Sequence, residues 1–133
     1  MAIDQIEETV KYNIYAKQNN DFRIFIQLID DVFSQPIDTT YWIGNIEIRP
    51  YFGSSTSVIT FSDKDGSIVF GMGENSNVIK ITFSAKKLIS IPPMEHGYYD
   101  FVVNTGEEFD TIMEGNFILK FGNTKNLPLF RER

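Results

Sequence analysis

Apolar residues recur in this chain at every second position in short runs, and that spacing constrains the fold more than any other feature. Ile79, Ile81 and Phe83 alternate with Lys80 and Thr82, the period of a strand with one face buried and the other wet. The same alternation runs through Val10, Tyr12, Ile14 and Ala16, set against Lys11, Asn13 and Lys17. It returns in Phe22, Ile24, Ile26 and Leu28 against Arg23 and Gln27, and in Ile46 and Ile48 against Asn45, Glu47 and Arg49. Trp42 and Gly44 share the parity of those isoleucines, which assigns Trp42 to the core.

Turn-forming clusters punctuate the runs. Gln18-Asn19-Asn20-Asp21 predicts a hairpin joining the first two strands, 10–16 and 22–28. Asp65-Gly66 predicts a tight hairpin between 57–62 and 68–70, since such turns require positive φ. The connection 30–40 carries Phe33 and Ile37, both expected to plug an end of the core. Ser84 is placed to cap one helical turn over 84–88, ahead of Pro92-Pro93. Strands are expected over 97–104 and 109–121, with Gly115 marking a bulge or bend. About eight short strands with almost no helix predict an all-β fold, an antiparallel β-sandwich of Greek-key or jelly-roll-like form. Residues 1–9 read as an N-terminal arm, 10–122 as the sandwich domain and 123–133 as a C-terminal tail. That tail is polar apart from Leu127, Leu129 and Phe130, and packs either on its own domain or on a neighbouring subunit.

Composition narrows the functional classes. A chain of 133 residues supports one hydrophobic core. Its 42% hydrophobic content supplies the apolar surface that folding needs. The net charge is −6 and no basic stripe is present, which argues against a nucleic-acid partner. No cysteine occurs, so disulfides and thiolate chemistry are excluded. The first ten residues lack the features of a secretory signal, and no apolar run is long enough to span a bilayer. The expectation is a soluble protein, made in the cytoplasm and without a membrane partner.

Catalytic signatures are missing. His96 is the sole histidine, in a Pro-rich stretch, and no serine sits in a Gly-x-Ser-x-Gly elbow. Asp63-Lys64-Asp65-Gly66 begins like a calcium loop but lacks the remaining oxygen ligands. Asp100, Glu107, Glu108, Asp110 and Glu114 could pair for glycoside hydrolysis only if the fold converged them. Gly71-Met72-Gly73 lacks the third glycine and helix of a dinucleotide site. No catalytic residue, metal or cofactor is expected, and the chain reads as a non-enzyme. What stands out is aromatic content, 14%. Tyr51-Phe52, Tyr98-Tyr99 and Leu129-Phe130 flank loops or lie in the tail, where such side chains anchor contacts to proteins or sugars.

Three groups of segments, in order, resemble a family of small tailed-phage structural proteins related to the N-terminal domain of upper baseplate proteins. The first is Phe22–Asp30, followed by Gln35-Pro36-Ile37-Asp38-Thr39-Thr40 and Ile46-Glu47-Ile48-Arg49. The second is Asp65-Gly66-Ser67-Ile68, then Ile79–Phe83 and Ser84-Ala85. The third is Gly97-Tyr98-Tyr99-Asp100-Phe101 with Ile112-Met113-Glu114-Gly115-Asn116-Phe117. The resemblance spans about residues 10–122 and implies a virion protein of the tail, baseplate or connector. On that reading it binds other virion proteins and copies of itself, with Tyr51, Phe52, Leu129 and Phe130 as contacts. A carbohydrate-binding domain stacking sugars on Tyr98 and Tyr99, and a capsid decoration protein, are the alternatives.

Overall fold

The computed structural model describes residues 9–122 apart from 31, 73 and 75, so the predicted arm before Thr9 and the tail 123–133 lie outside the described residues. Among the described residues, eleven strands and one helical turn follow in chain order. They are β1 (Val10–Lys11), β2 (Ile14–Lys17), β3 (Phe22–Gln27), β4 (Ile29–Asp30), β5 (Gln35–Pro36), β6 (Ile43–Arg49), β7 (Ile59–Ser62), β8 (Ile68–Val69) and β9 (Val78–Phe83). After α1 (Ala85–Leu88) come the two long strands β10 (Met94–Asn104) and β11 (Phe109–Lys120).

The larger sheet has the order β1-β11-β10-β6-β7, with β2 continuing beside β11, and the smaller has the order β3-β9-β8. Chain connections cross between them at β2–β3, at β3–β6 by way of the β4–β5 hairpin, at β7–β8 and, through α1, at β9–β10. This is a Greek-key β-sandwich with the strand order of an immunoglobulin-type domain whose first strand lies on the larger sheet. The expected sandwich class is therefore what the chain adopts, with one departure: β1 and β2 pair with β11 in parallel.

The alternating pattern explains the layers. Ile79, Ile81 and Phe83 on β9 are fully buried, as are Ile46 and Ile48 on β6 and Tyr99, Phe101 and Val103 on β10. Trp42 lies in the same core. Antibody domains join the two sheets with a disulfide, whereas here an aromatic cluster spans the gap. The Phe83 ring packs edge-on to Phe61 at 4.9 Å and lies 5.6 Å from Phe117, both on the opposite sheet. Such pairs contribute about 0.5–1.5 kcal/mol each beyond their buried area. Ser84 caps α1 as expected, accepting a hydrogen bond from the Lys87 N–H.

Four local expectations are corrected. Residues 10–17 are two short strands rather than one, and they do not form a hairpin with β3, which pairs with β9 in the other sheet. The break falls at Tyr12-Asn13, leaving Val10 and Tyr12 exposed while Ile14 and Ala16 are buried. Asp63–Gly66 is a turn with Gly66 at φ +84°, but it carries the chain across the sandwich, because β7 and β8 belong to different sheets. Phe33 is 67% exposed; only Ile37 of that pair reaches the core. Gly115 sits in regular register opposite Tyr99, and the register shifts of this strand pair lie instead between Met94 and Gly97 and between Phe101 and Val102. What Gly115 provides is space: a Cβ there would stand 2.3 Å from the Tyr12 carbonyl oxygen.

Candidate interaction surfaces

The register of the larger sheet places its outward side chains in rows. Tyr98 lies between Asn116 and Arg49, and Asp100 between Glu114 and Glu47. Like charges directly opposite each other destabilise a sheet, so the three carboxylates of the second row need cations. Arg49 provides one, reaching Glu47 at 2.5 Å and Asp100 at 3.3 Å. Lys11 provides the other by pairing with Glu114, a hydrogen bond that raises its own pKa. Partial burial, then the nearby Glu114 charge, raise the pKa of Tyr98.

Two of the predicted contact residues flank this face. Phe52 is 74% exposed and meets Tyr98 edge-on at 4.8 Å, while Tyr51 is also exposed. Tyr98 itself is half-buried on a central strand. Tyr99 is no surface residue: it points to the opposite face, is fully buried, and donates its hydroxyl to the Tyr12 carbonyl at 2.6 Å. Desolvation drives its pKa upward. Adjacent residues on one strand face opposite sides of a sheet, so Tyr98 and Tyr99 cannot form one stacking platform for a sugar. Leu129 and Phe130 lie outside the described residues.

Sequence reasoning missed the end of the sandwich where β3 meets β9 and β6 meets β10. The connection 28–42 is pinned there through Thr39, whose fully buried side chain donates to the Ser76 carbonyl and accepts from the Gly71 N–H. Leu28 N–H and the Asn77 side chain add two further bonds across the same joint. From this fixed base the hairpin β4–β5 projects, with Val32 65% and Phe33 67% exposed at its tip. Asp30 closes the tip by accepting from the Val32 N–H, and Ser34 takes a left-handed φ of +54°. Tyr41, Ile43 and Phe109 are exposed at the same end. Ile43 and Phe109 rim a hollow of about 330 Å³ over Val102, Asn45 and Asn104. One signal was available: Val32-Phe33 is an adjacent apolar pair between turn residues, with no alternation to bury it.

A second hollow, about 300 Å³, opens along the flank between β1 and β3, lined by Val10, Tyr12, Ile24, Ile26, Leu28 and Met113. None of the five acids considered for glycoside hydrolysis lines either hollow. Asp100 and Glu114 are register partners on the open sheet face, and Glu107 and Glu108 occupy a turn. No group of three metal-ligating side chains comes together among the described residues. The calcium-like Asp65 spends its oxygens on protein donors, the N–H groups of Ser62 and Ser67 and the Lys87 ammonium. Partial burial works to raise its pKa, but those hydrogen bonds outweigh it and hold the carboxyl at about 2. No helix among the described residues is long and apolar enough to cross a membrane.

No protein-family model matches the chain, and no curated protein matches it. Solved structures similar to it include the extracellular domains of the voltage-gated sodium channel beta4 subunit, which form parallel homodimers. That likeness has 18% identity and a TM-score of 0.35, covering 83% of this chain and 92% of the other. Another is an extracellular fragment of novel immune-type receptor 10 from Ictalurus punctatus, with 10% identity, a TM-score of 0.34, and coverage of 84% and 97%. Likenesses this distant carry no argument about function.

Proposed function

We propose that this chain is a non-enzymatic structural module of a tailed-phage virion, an assembly or adaptor unit of the tail, baseplate or connector. The observation that carries the reading is the loop end of the sandwich. Five large apolar side chains, Val32, Phe33, Tyr41, Ile43 and Phe109, stand in solvent there, on a base tied together through Thr39. Exposed apolar patches on a rigid frame mark protein contacts. The segments that resemble the phage family add support, since they fall at the joints of the fold. Pro36 to Thr40 form the pinned connection, Ser84-Ala85 caps α1, and Gly115 admits the Tyr12 backbone.

On this reading the partners are other virion proteins and further copies of the chain, and the loop end is the contact. Mass spectrometry of purified tailed particles from the host that carries the gene tests the assignment. The chain is expected among the particle proteins at a stoichiometric level, and its absence from infectious particles overturns the proposal. Replacing Phe33 and Phe109 by Asp is expected to leave the melting temperature unchanged while excluding the chain from particles.

A further inference from the structure

We propose that the hollow at the loop end is a glycan site, in which a neutral sugar unit lies on Phe109 and Val102 and hydrogen-bonds to Asn45, Thr60 and Asp63. Strand register builds its floor. Val103 and its partner Gly44 face the core side of the larger sheet, so the residues on either side of them face outward. Two outward rows cross the sheet there, Phe109-Asn104-Ile43 and, one step along, Val102-Asn45-Ser62. Four strands by two rows make a shelf about 14 Å by 7 Å. Its volume of about 330 Å³ lies at the small end of the range for ligand pockets. The Tyr98-Tyr99 platform fails because those rings face opposite sides, whereas here the register brings ring, amide and hydroxyl to one face.

The walls are tied to the backbone. Asp63 holds Gly44 through both of its polar groups, donating its N–H to the Gly44 carbonyl at 3.3 Å and accepting the Gly44 N–H on Oδ1 at 3.1 Å. The Ser62 hydroxyl accepts the Lys64 N–H at 3.2 Å, and the Asn104 amide oxygen accepts the Gly106 N–H at 2.9 Å. Groups positioned in this way lose little freedom when a ligand binds. The chemistry of the lining then selects the ligand. An aliphatic molecule would strip water from Asn45, Thr60, Asp63 and Lys64 and replace none of their hydrogen bonds, at roughly 1–3 kcal/mol for each. An anion would meet the Asp63 carboxylate, and a cation would meet the Lys64 ammonium. A neutral pyranose suits every group, because its hydroxyls both donate and accept. The C–H face of the same ring packs on Val102 and on the exposed Phe109 ring. This inference does not rest on the virion assignment: it shares Ile43 and Phe109 with the loop-end contact, but Asn45 and Thr60 belong to the hollow alone.

The full chain is screened on an array of neutral and anionic oligosaccharides, and the glycan giving the strongest signal is titrated by calorimetry and by amide NMR. A neutral glycan is expected to bind, with shift changes at Asn45, Ser62, Lys64 and Asn104 and none at Tyr51 or Tyr98. Asn45→Ala, Thr60→Val and Phe109→Ala are each expected to weaken binding about tenfold, with Trp42 fluorescence unchanged as the check on the fold. Phe33→Asp lies off the hollow and is expected to keep full affinity for the glycan. Loss of particle incorporation in Phe33→Asp and loss of glycan binding in Asn45→Ala are therefore separate results. Silence across the array overturns the site, and so does a preference for anionic glycans. Shift changes centred elsewhere on the fold reject it too, as does unaltered affinity in Asn45→Ala and Thr60→Val.

Discussion

Asp65 and Lys87 show how single side chains hold the crossing between the sheets. Lys87 leaves α1, lies 4.3 Å from the centre of the Phe61 ring, donates to the Thr60 carbonyl and reaches Asp65 at 2.7 Å. Asp65 in turn holds the 62–67 turn through two backbone N–H groups. Because its folded pKa is depressed to about 2, its contribution is complete above the ordinary carboxylate range and is lost as pH falls through about 2. With a third of the side chain exposed, screening reduces this to roughly 1 kcal/mol. Asp65→Asn keeps an acceptor for the N–H groups and removes only the charge. Denaturant melts of the two proteins are expected to differ by that amount at neutral pH and to converge between pH 4 and pH 2. A gap that does not change with pH would show that the ion pair contributes nothing.

Among the elements, the strands with clean alternation were readable and the connections between them were not. β9, β10 and β11 lie close to where their periodicity put them, and so does α1, because burial on one face is a local property of sequence. Pairing is not local. Nothing in Val10–Lys17 tells whether it joins β3 or β11, and the outcome turns on Gly115, a hundred residues away, where the absence of a side chain lets the Tyr12 backbone approach. Tyr12 N–H then donates to the Glu114 carbonyl, and its own carbonyl accepts the Tyr99 hydroxyl. The burial of Tyr99 was equally hidden, since Tyr98-Tyr99 reads as a pair only until strand geometry separates them. Gly115→Ala should therefore act on an element rather than a spot. The added Cβ is expected to displace β1 and destabilise the fold by about 1–3 kcal/mol, with faster exchange of the Tyr12 amide than of β6 amides. Unchanged exchange at Tyr12 would mean that the approach relaxes without consequence.

At the scale of the whole molecule, an acidic body carries apolar contact sites, and these two properties oppose each other. A net charge of −6 keeps copies apart in dilute buffer through long-range repulsion. Val32, Phe33, Tyr41 and Phe109 at the loop end attract only at contact, through burial that salt does not weaken. The three carboxylates of the row on the larger sheet are largely offset by Arg49 and Lys11, so the row offers no strong charged patch for a second copy to read. Association between copies should then be limited by repulsion and driven by apolar area. Raising ionic strength from roughly 0.02 to 0.5 M shortens the Debye length from about 20 Å to under 5 Å. Light scattering on the full chain is expected to show a larger mean mass at the higher salt, with the shift abolished by Phe33→Asp and Phe109→Asp. A mass that falls as salt rises would instead place the contact among charged residues, with Arg49 and Lys11 pairing outward rather than along the sheet.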